Sequence, residues 1–432
     1  MREKRLIRIF FVCLGTSAAF AQQDHEPMGT SMPGTHHAMN RAGMYLMNLA
    51  SGTGRNPAAA QMPMIMSQAG RWNLMWMGTA FLVDTQQSSP RGGDKLYSPN
   101  WFMLGAEHAL GRGSVLIKGM LSLEPATITD RRYPLLFQTG ETAYGVPLVD
   151  AQHPHDLFME LSVQYARPLG EKTMWNVYYA PVGDPALGPV AFPHRASAAE
   201  LPQATLGHHW EDSTHISYQV VTMGLSHGPV RLEASGFHGA EPAENRWTIA
   251  YGGIDSWSAR FSVTPNRNWM GQVSVGRLSH PEAAEPGDVV RATASAHYST
   301  ASLGEQWSSS FIWGRNYKTF DRQATNSLTV ESVKQFRRRN FVTGRFEWSQ
   351  RDELFAATPE IEEQLAQAVH TRAFPITAYT MGYTRDVGWL RNVETGVGAN
   401  FSAYGVPSAI EPYYGAHPVG ANVFLRLRLR SE

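Results

Sequence analysis

SWSARFSV, residues 256–263, puts Trp257, Ala259, Phe261 and Val263 on one side of an extended chain. Ser256, Ser258, Arg260 and Ser262 fall on the other side. That period of two belongs to a β-strand, whose successive side chains point to opposite faces. The same alternation runs through SVLIKGMLSL (114–123), LFMELSVQYA (157–166) and VFLRLRLR (423–430). Segments of about ten residues with one apolar and one polar face are the building unit of a transmembrane β-barrel. After Ala21 no apolar run is long enough to cross a bilayer as a helix.

Working outward, the pattern predicts strands over 72–84, 97–109, 114–124, 156–168, 173–180, 214–226, 230–238 and 255–264. It continues over 269–279, 289–300, 304–317, 326–336, 341–350, 376–386, 392–404 and 420–430. The connections after even-numbered strands are short, such as LGRG (110–113), HGP (227–229) and PNRN (265–268). Those after odd-numbered strands are long, notably 125–155, 181–213, 239–254, 351–375 and 405–419. Outer-membrane barrels pair short periplasmic turns with long outer loops. The fold class is therefore all-β: a closed antiparallel transmembrane barrel of about sixteen strands, with fourteen or eighteen as the neighbouring even counts. Both termini are expected in the periplasm. A barrel of this size leaves an aqueous channel.

Strand parity sorts the wall. Lys118, Glu124, Asp156, Glu160, Arg231, Glu233, Arg260, Arg345, Glu347, Arg426, Arg428 and Arg430 are expected to face the lumen. Leu121, Leu123, Val263, Leu425 and Leu427 are expected to face lipid. The segment PEIEEQLAQAVH (359–370) reads as a short helix in an outer loop.

The ends and the composition agree with this reading. MREKRLIR is a basic stretch, IFFVCLGTSAAF a short apolar one, and Ala19-Phe20-Ala21 a small-residue cleavage site. Residues 1–21 are thus expected to be a signal peptide, 22–71 a Met/His-rich periplasmic segment and 72–432 the barrel. The single cysteine, Cys13, falls in the leader, so the mature chain has no disulfide and no thiolate ligand. Lys plus Arg (37) equal Asp plus Glu (37), and charged residues are 17% of the chain, which leaves no basic patch for nucleic acid. Aromatic residues reach 11%, as the interfacial girdles of a barrel require.

Two clusters carry candidate chemistry. Residues 24–77 hold ten of the 18 methionines. MPMIM sets Met62, Met64 and Met66 two apart, on one face of an extended chain. With Met28, Met32, His36 and His37 they form a thioether and imidazole set suited to copper, Cu(I) above all. The alternatives are a flexible tail or a lumen plug, since methionine is also an adaptable packing residue. The second cluster lies in two long loops: His153, His155, Asp156, His194, His208, His209, Asp212 and His215. Imidazole with carboxylate suits Zn(II), Cu(II) or Ni(II). The alternative is a stiff hydrogen-bonded loop that narrows the pore, favoured by Pro154, Pro185, Pro189 and Pro193. Catalysis finds little support: Asp212, Ser213 and His215 are too close along the chain for a triad, and no nucleophile elbow or phosphate loop is present. No catalytic residue is expected.

The blocks SGTGRNP (51–57), SPRGGDKLYSPNW (89–101), MLSLEPATI (120–128), YPLLFQTGE (133–141), QHPHDLFMEL (152–161), GDPALGPVAFPHR (183–195), HHWEDSTHIS (208–217) and DSWSARFS (255–262) carry a family likeness. On them the chain resembles an uncharacterised family of bacterial outer-membrane β-barrels often found beside copper- and heavy-metal-resistance or efflux genes. The Met/His tract is similar to the leader of copper-resistance B proteins, though shorter and without tandem Met-Asp-His repeats. The resemblance implies a channel-like barrel in the Gram-negative outer membrane that passes or handles a small solute, copper or another transition metal such as zinc among them. Its partners would be outer-membrane lipid, the solute or ion, and periplasmic efflux components. A general porin-like or structural barrel without metal dependence, and a lipid-modifying outer-membrane enzyme, remain the alternatives.

Overall fold

The computed structural model describes residues 39–283, 286–388 and 390–430. The expected signal peptide, and also Met28, Met32, His36 and His37, lie outside them. The barrel strands are β1 (Trp72–Ser88), β2 (Asn100–Leu110), β3 (Gly113–Leu121), β4 (Phe158–Pro168), β5 (Thr173–Gly183) and β6 (Ser217–His227). They continue as β7 (Val230–His238), β8 (Ser256–Asn266), β9 (Trp269–Leu278), β10 (Val289–Ser302) and β11 (Glu305–Lys318). The last are β12 (Ala324–Phe336), β13 (Asn340–Arg351), β14 (Phe374–Asp386), β15 (Val393–Gly405) and β16 (Val419–Leu429). Every neighbouring pair is antiparallel, and β16 closes on β1 from Thr79↔Arg428 to Ser88↔Val419. The result is a closed sixteen-stranded barrel. The short strand Ile65–Ala69 extends the seam by pairing with Trp72–Trp76 of β1, where β16 no longer reaches. Pro359–Val369 is helical within its long loop.

The sheet is inside out relative to a soluble protein. Trp257, Phe261, Val273, Phe311, Val342 and Val423 are exposed on its outer face. Ser258, Arg260, Thr293, Glu331 and Arg345 are buried on the inner one. Outside, apolar surface is what hydrocarbon accepts, and a closed ladder leaves no unpaired strand edge there. Near the short turns, Trp269 packs on Tyr298 at 4.9 Å and Tyr298 on Trp307 at 5.4 Å, part of an aromatic girdle.

Where an aqueous channel was expected, protein fills the lumen. Arg195, Arg351, Arg426 and Lys118 are each under 2–3% exposed, although three of them lie on wall strands. Charges lining an open pore would be wet. Two segments bury them. From the long-loop end, the inner loop 184–216 leaves β5, crosses the interior and returns at β6. It bonds Ser235 on β7, Ser274 on β9, Ser327 and Thr329 on β12, Glu347 on β13 and, through Gln203, Asn400 on β15. At the short-turn end lies the N-terminal segment 39–60. Its helix α1 (Arg41–Met47) is capped by the Asn40 side chain, which accepts from Gly43 N. Arg41 donates to the Gly170 carbonyl in one short turn (2.7 Å), and Ala59 N donates to Arg267 O in another (2.7 Å). The segment thus lies across the lumen between those turns.

The methionines explain how α1 seats. Met47, Leu46 and Leu49 pack with Met75, Met77, Met103, Met120, Met159 and Met174 of the wall in one apolar cluster. Unbranched thioethers fit an irregular gap that branched side chains would not. Gly52 marks the contact between the two segments. Its φ is +50°, and a Cβ there would stand 2.3 Å from the Asp184 carbonyl oxygen.

Parity places most wall residues as expected, with corrections: Asp156 precedes its strand, which begins at Phe158, and Leu123 follows its strand, which ends at Leu121. Glu124 is not on a strand but in the turn of helix Glu124–Thr127, because Pro125 ends the extended run. Arg430 follows the last strand and is exposed, pairing with Glu394 at the rim. Arg426 also carries more than lumen charge: it meets Glu200 of the inner loop and Asp386 of β14.

Leu425→Arg should therefore impair assembly, since a cation on the lipid face costs about 2–4 kcal/mol at mid-membrane. Arg426→Leu should still close the barrel but loosen the inner loop, because breaking a buried pair costs about 3–5 kcal/mol. Heat-modifiable migration on gels reports the first effect and limited proteolysis of 184–216 the second.

Candidate functional site

The inner loop is rich in alanine, glycine and proline, GDPALGPVAFPHRASAAELPQA over 183–204. Small side chains let it thread a confined interior, and its few large polar ones anchor it. Asp212 is the main anchor. One of its oxygens accepts from Arg195 Nη1 (2.8 Å) and Phe192 N (2.9 Å), and the other lies 2.6 Å from His208 Nδ1. Burial opposes its charge, yet His208 and Arg195 hold the carboxyl well below the usual range. Arg195 in turn meets Glu331 of β12, which also accepts from Arg345 of β13 (3.1 Å).

Around this anchor stand the histidines. His155 and His215 approach at 5.3 Å between ring centroids, His215 and His208 at 5.3 Å, His208 and His209 at 5.3 Å, and His209 and His153 at 6.1 Å. Five of the six candidate histidines thus form one file from the lumen to the long-loop mouth. All five have an Nδ1 partner: His155 on Glu124 (2.9 Å), His208 on Asp212, His215 on the Asp212 carbonyl (2.8 Å), His209 on Glu282 (3.1 Å) and His153 on the Pro154 carbonyl (3.1 Å). A hydrogen bond at Nδ1 sets the ring so that Nε2 projects, which is how an outer shell orients a ligating imidazole. Burial, with His208 and His155 adding, pushes His215 well below its ordinary value. His194 stands apart, edge-on to Trp101 at 4.3 Å. Asp156 is also separate, bonded to Tyr218 (2.8 Å) and Arg246 (3.1 Å).

At the mouth end the structure adds two residues that sequence did not single out. Ligand atoms of His209, Glu241 and Glu282 all lie within 4.8 Å of one another. The glutamates come from different long loops, joined where Glu241 N donates to Pro281 O (2.9 Å). Both Glu241 carboxylate oxygens are buried without a hydrogen-bond partner, and so is His209 Nε2. Burial disfavours the charged imidazole, but Glu241 and Glu282 outweigh it and raise His209 to about 10. Burial and the charge on Glu241 push Glu282 up to about 7. His153, lowered to about 3 by burial and by His209, lies 3.0 Å from Glu141.

The hairpin Tyr133–Ala143/Val146–Gln152 lies over this group. A Cβ on Gly140, at φ +111°, would come within 2.4 Å of the His209 ring. Phe137 (φ 66°) and Glu141 (φ 62°) hold left-handed backbone without being glycine, strain of the kind that accumulates at functional sites. The sequence signal for the missed pair is faint: AEP at 240–242 and PEA at 281–283 set each glutamate beside a proline, in loops that carry other charges such as Glu244 and Asp288.

Met62 and Met64 pack against the α1 cluster. Met66 lies on Ile65–Ala69 and is 37% exposed. The three are therefore in unlike surroundings, two of them used in packing.

No family model and no curated protein matches this chain. Solved structures do. The chain is similar to an anion-selective porin from Comamonas acidovorans at a TM-score of 0.51 and 10% identity, covering 83% of this chain and 100% of that one. The Salmonella typhi OmpF complex with daunomycin gives 0.51 at 9%, over 84% and 100%. Pseudomonas putida OprB gives 0.51 at 8%, over 83% and 94%. The fold is a porin-type barrel. At such identities the likeness extends to the fold alone, and the packed interior has to be understood from this chain's own residues.

Asp212→Ala should leave Arg195, His208 and Phe192 N without their partner at a cost of about 3–5 kcal/mol. The expected outcome is a closed barrel whose inner loop becomes protease-sensitive.

Proposed function

We propose that the protein is a channel-like barrel of the outer membrane whose lumen is held shut by its own chain. Short turns face the periplasm in this reading, and a small solute is handled at the long-loop mouth. The observation that carries it is the burial of the lumenal charges beneath segments 39–60 and 184–216, whose attachments combine ion pairs and hydrogen bonds with the apolar patch under α1. Polar attachments of this kind can be exchanged for water when a segment moves. Planar-bilayer recording is the test. The intact protein should conduct far less than an open sixteen-stranded porin, and removal of residues 39–60 should raise conductance several-fold. An intact protein that already conducts as an open porin refutes the reading.

A metal ion is the solute that one feature favours, the His209–Glu241–Glu282 group, in which Glu241 has His209 as its ion-pair partner (3.3 Å) and accepts no well-formed hydrogen bond. One imidazole and two carboxylates suit Zn(II) or Cu(II), and the absence of sulfur disfavours Cu(I). The file His155–His215–His208, with Nδ1 atoms held and Nε2 atoms projecting, extends ligand-competent rings toward the lumen. Cu(I) handling by Met62, Met64 and Met66 rests on thioether chemistry alone. Titration of the purified barrel with Zn(II) and Cu(II) should show saturable binding that Glu241→Gln weakens by about tenfold or more. Ligands must shed protons to bind. Affinity should therefore rise from about pH 6 to about pH 9, with proton release seen in weakly buffered solution.

A further inference from the structure

At the opposite end of the lumen, between the N-terminal segment and strands β6 to β9, lies a cavity of about 240 Å3. By the volume each water takes in the liquid it has room for about eight. Its lining includes Arg55 from the N-terminal segment and Arg231 and Arg260 from the wall, together with Ser226, Ser262 and Thr264, and no carboxylate. Gly228, Pro229 and Val230 of a short turn form its outer edge, so it faces the short-turn side.

The charges around it do not balance. Glu233 takes Arg231 (2.9 Å) and Arg260 (3.0 Å) on its two oxygens from behind the cavity wall. Asp184 of the inner loop is the next carboxylate near Arg260. Arg260 is otherwise satisfied by Thr53 Oγ1 (2.8 Å) and the Gly188 carbonyl (3.2 Å). Arg231 donates to the Thr53 carbonyl (2.8 Å), but its Nε is buried without an acceptor. Arg55 is left over. Its guanidinium stacks on Tyr45 at 4.1 Å and its Nε is buried without an acceptor, while Glu233, already shared by Arg231 and Arg260, is the carboxylate whose charge reaches it. Burial lowers it to about 10, with Arg231 and Arg260 pushing the same way.

A cation confined beside two others is unfavourable unless an anion joins them. Guanidinium forks bind planar or tetrahedral oxyanions through paired hydrogen bonds, and hydroxyls such as Ser262 and Thr264 supply further donors. We propose that this cavity binds a small oxyanion, a phosphate or the carboxylate of a small organic acid, which ties Arg55 of the N-terminal segment to Arg231 of the wall. An occupied cavity strengthens the hold on the segment, and an empty one leaves it to the Thr53 contacts, with three guanidiniums sharing Glu233.

The test is calorimetric titration of the purified full-length protein in chloride buffer, with inorganic phosphate in one arm and succinate in the other. Saturable binding is expected in at least one arm, and which arm responds identifies the oxyanion. Arg55→Gln should weaken binding by roughly tenfold or more, with barrel closure unchanged by heat-modifiable migration. Ser262→Asp, which puts a carboxylate in the lining, should abolish binding and serves if Arg55→Gln fails to fold. The proposal is overturned if neither anion binds, or if the variant that folds binds as wild type does. These results are independent of conductance and of metal binding.

Discussion

A sixteen-stranded barrel encloses more space than its own inward side chains can fill, so water or protein must occupy the rest. In this chain the choice is made by buried charge. Arg195 of the inner loop lies between Asp212 and Glu331, and Arg345 shares the second carboxylate. Each of these buried charges has its partner in another member of the group. Withdrawing the loop would strand Glu331 and Arg345 on the wall unless water followed. The loop's position, the order of the histidines that flank Asp212, and the room left for the N-terminal segment all depend on that network.

The wall was legible in the sequence because each strand meets two media. Lipid outside demands Trp257, Phe261 and Val263, while the interior demands Ser258, Arg260 and Ser262, so parity shows directly in the letters. Turn length then gave the strand count. The contents of the lumen were not legible for a related reason. Serine, arginine and glutamate are as suitable against a polar protein segment as against water, so Arg345 or Arg426 would read the same in an open pore. Met75 and Met77 show the ambiguity from the other side, since an apolar residue in a wall strand normally means lipid, yet here it means α1.

The candidate site was half legible. Crowding of histidine in two long loops pointed to convergence, and five rings do form one file. Glu241 and Glu282 escaped notice because they meet only when two other loops are tied by a single backbone hydrogen bond, which no local pattern records. Glu124 was noticed for the wrong reason: its carboxylate serves His155 and the backbone of Asn100 from a helical turn. In the methionine tract, Met47, Met62 and Met64 pack in or against the cluster under α1 while Met44 and Met66 are exposed, a difference in surroundings that the letters do not record.

The seam has a consequence for how the molecule is made. The N-terminal segment runs straight into Ile65–Ala69 and β1, and β1 is the strand on which β16 closes. Chain order therefore places residues 39–60 inside a cylinder that the last strand completes. Once the β1–β16 ladder has formed, neither segment can enter sideways through the wall. The interior is packed either before closure or by passage through an end. Substitutions at Asp212, Arg195 or Gly52 would on that account appear first as slow biogenesis, with immature chains held open beside the membrane, before any difference is measurable in the finished barrel.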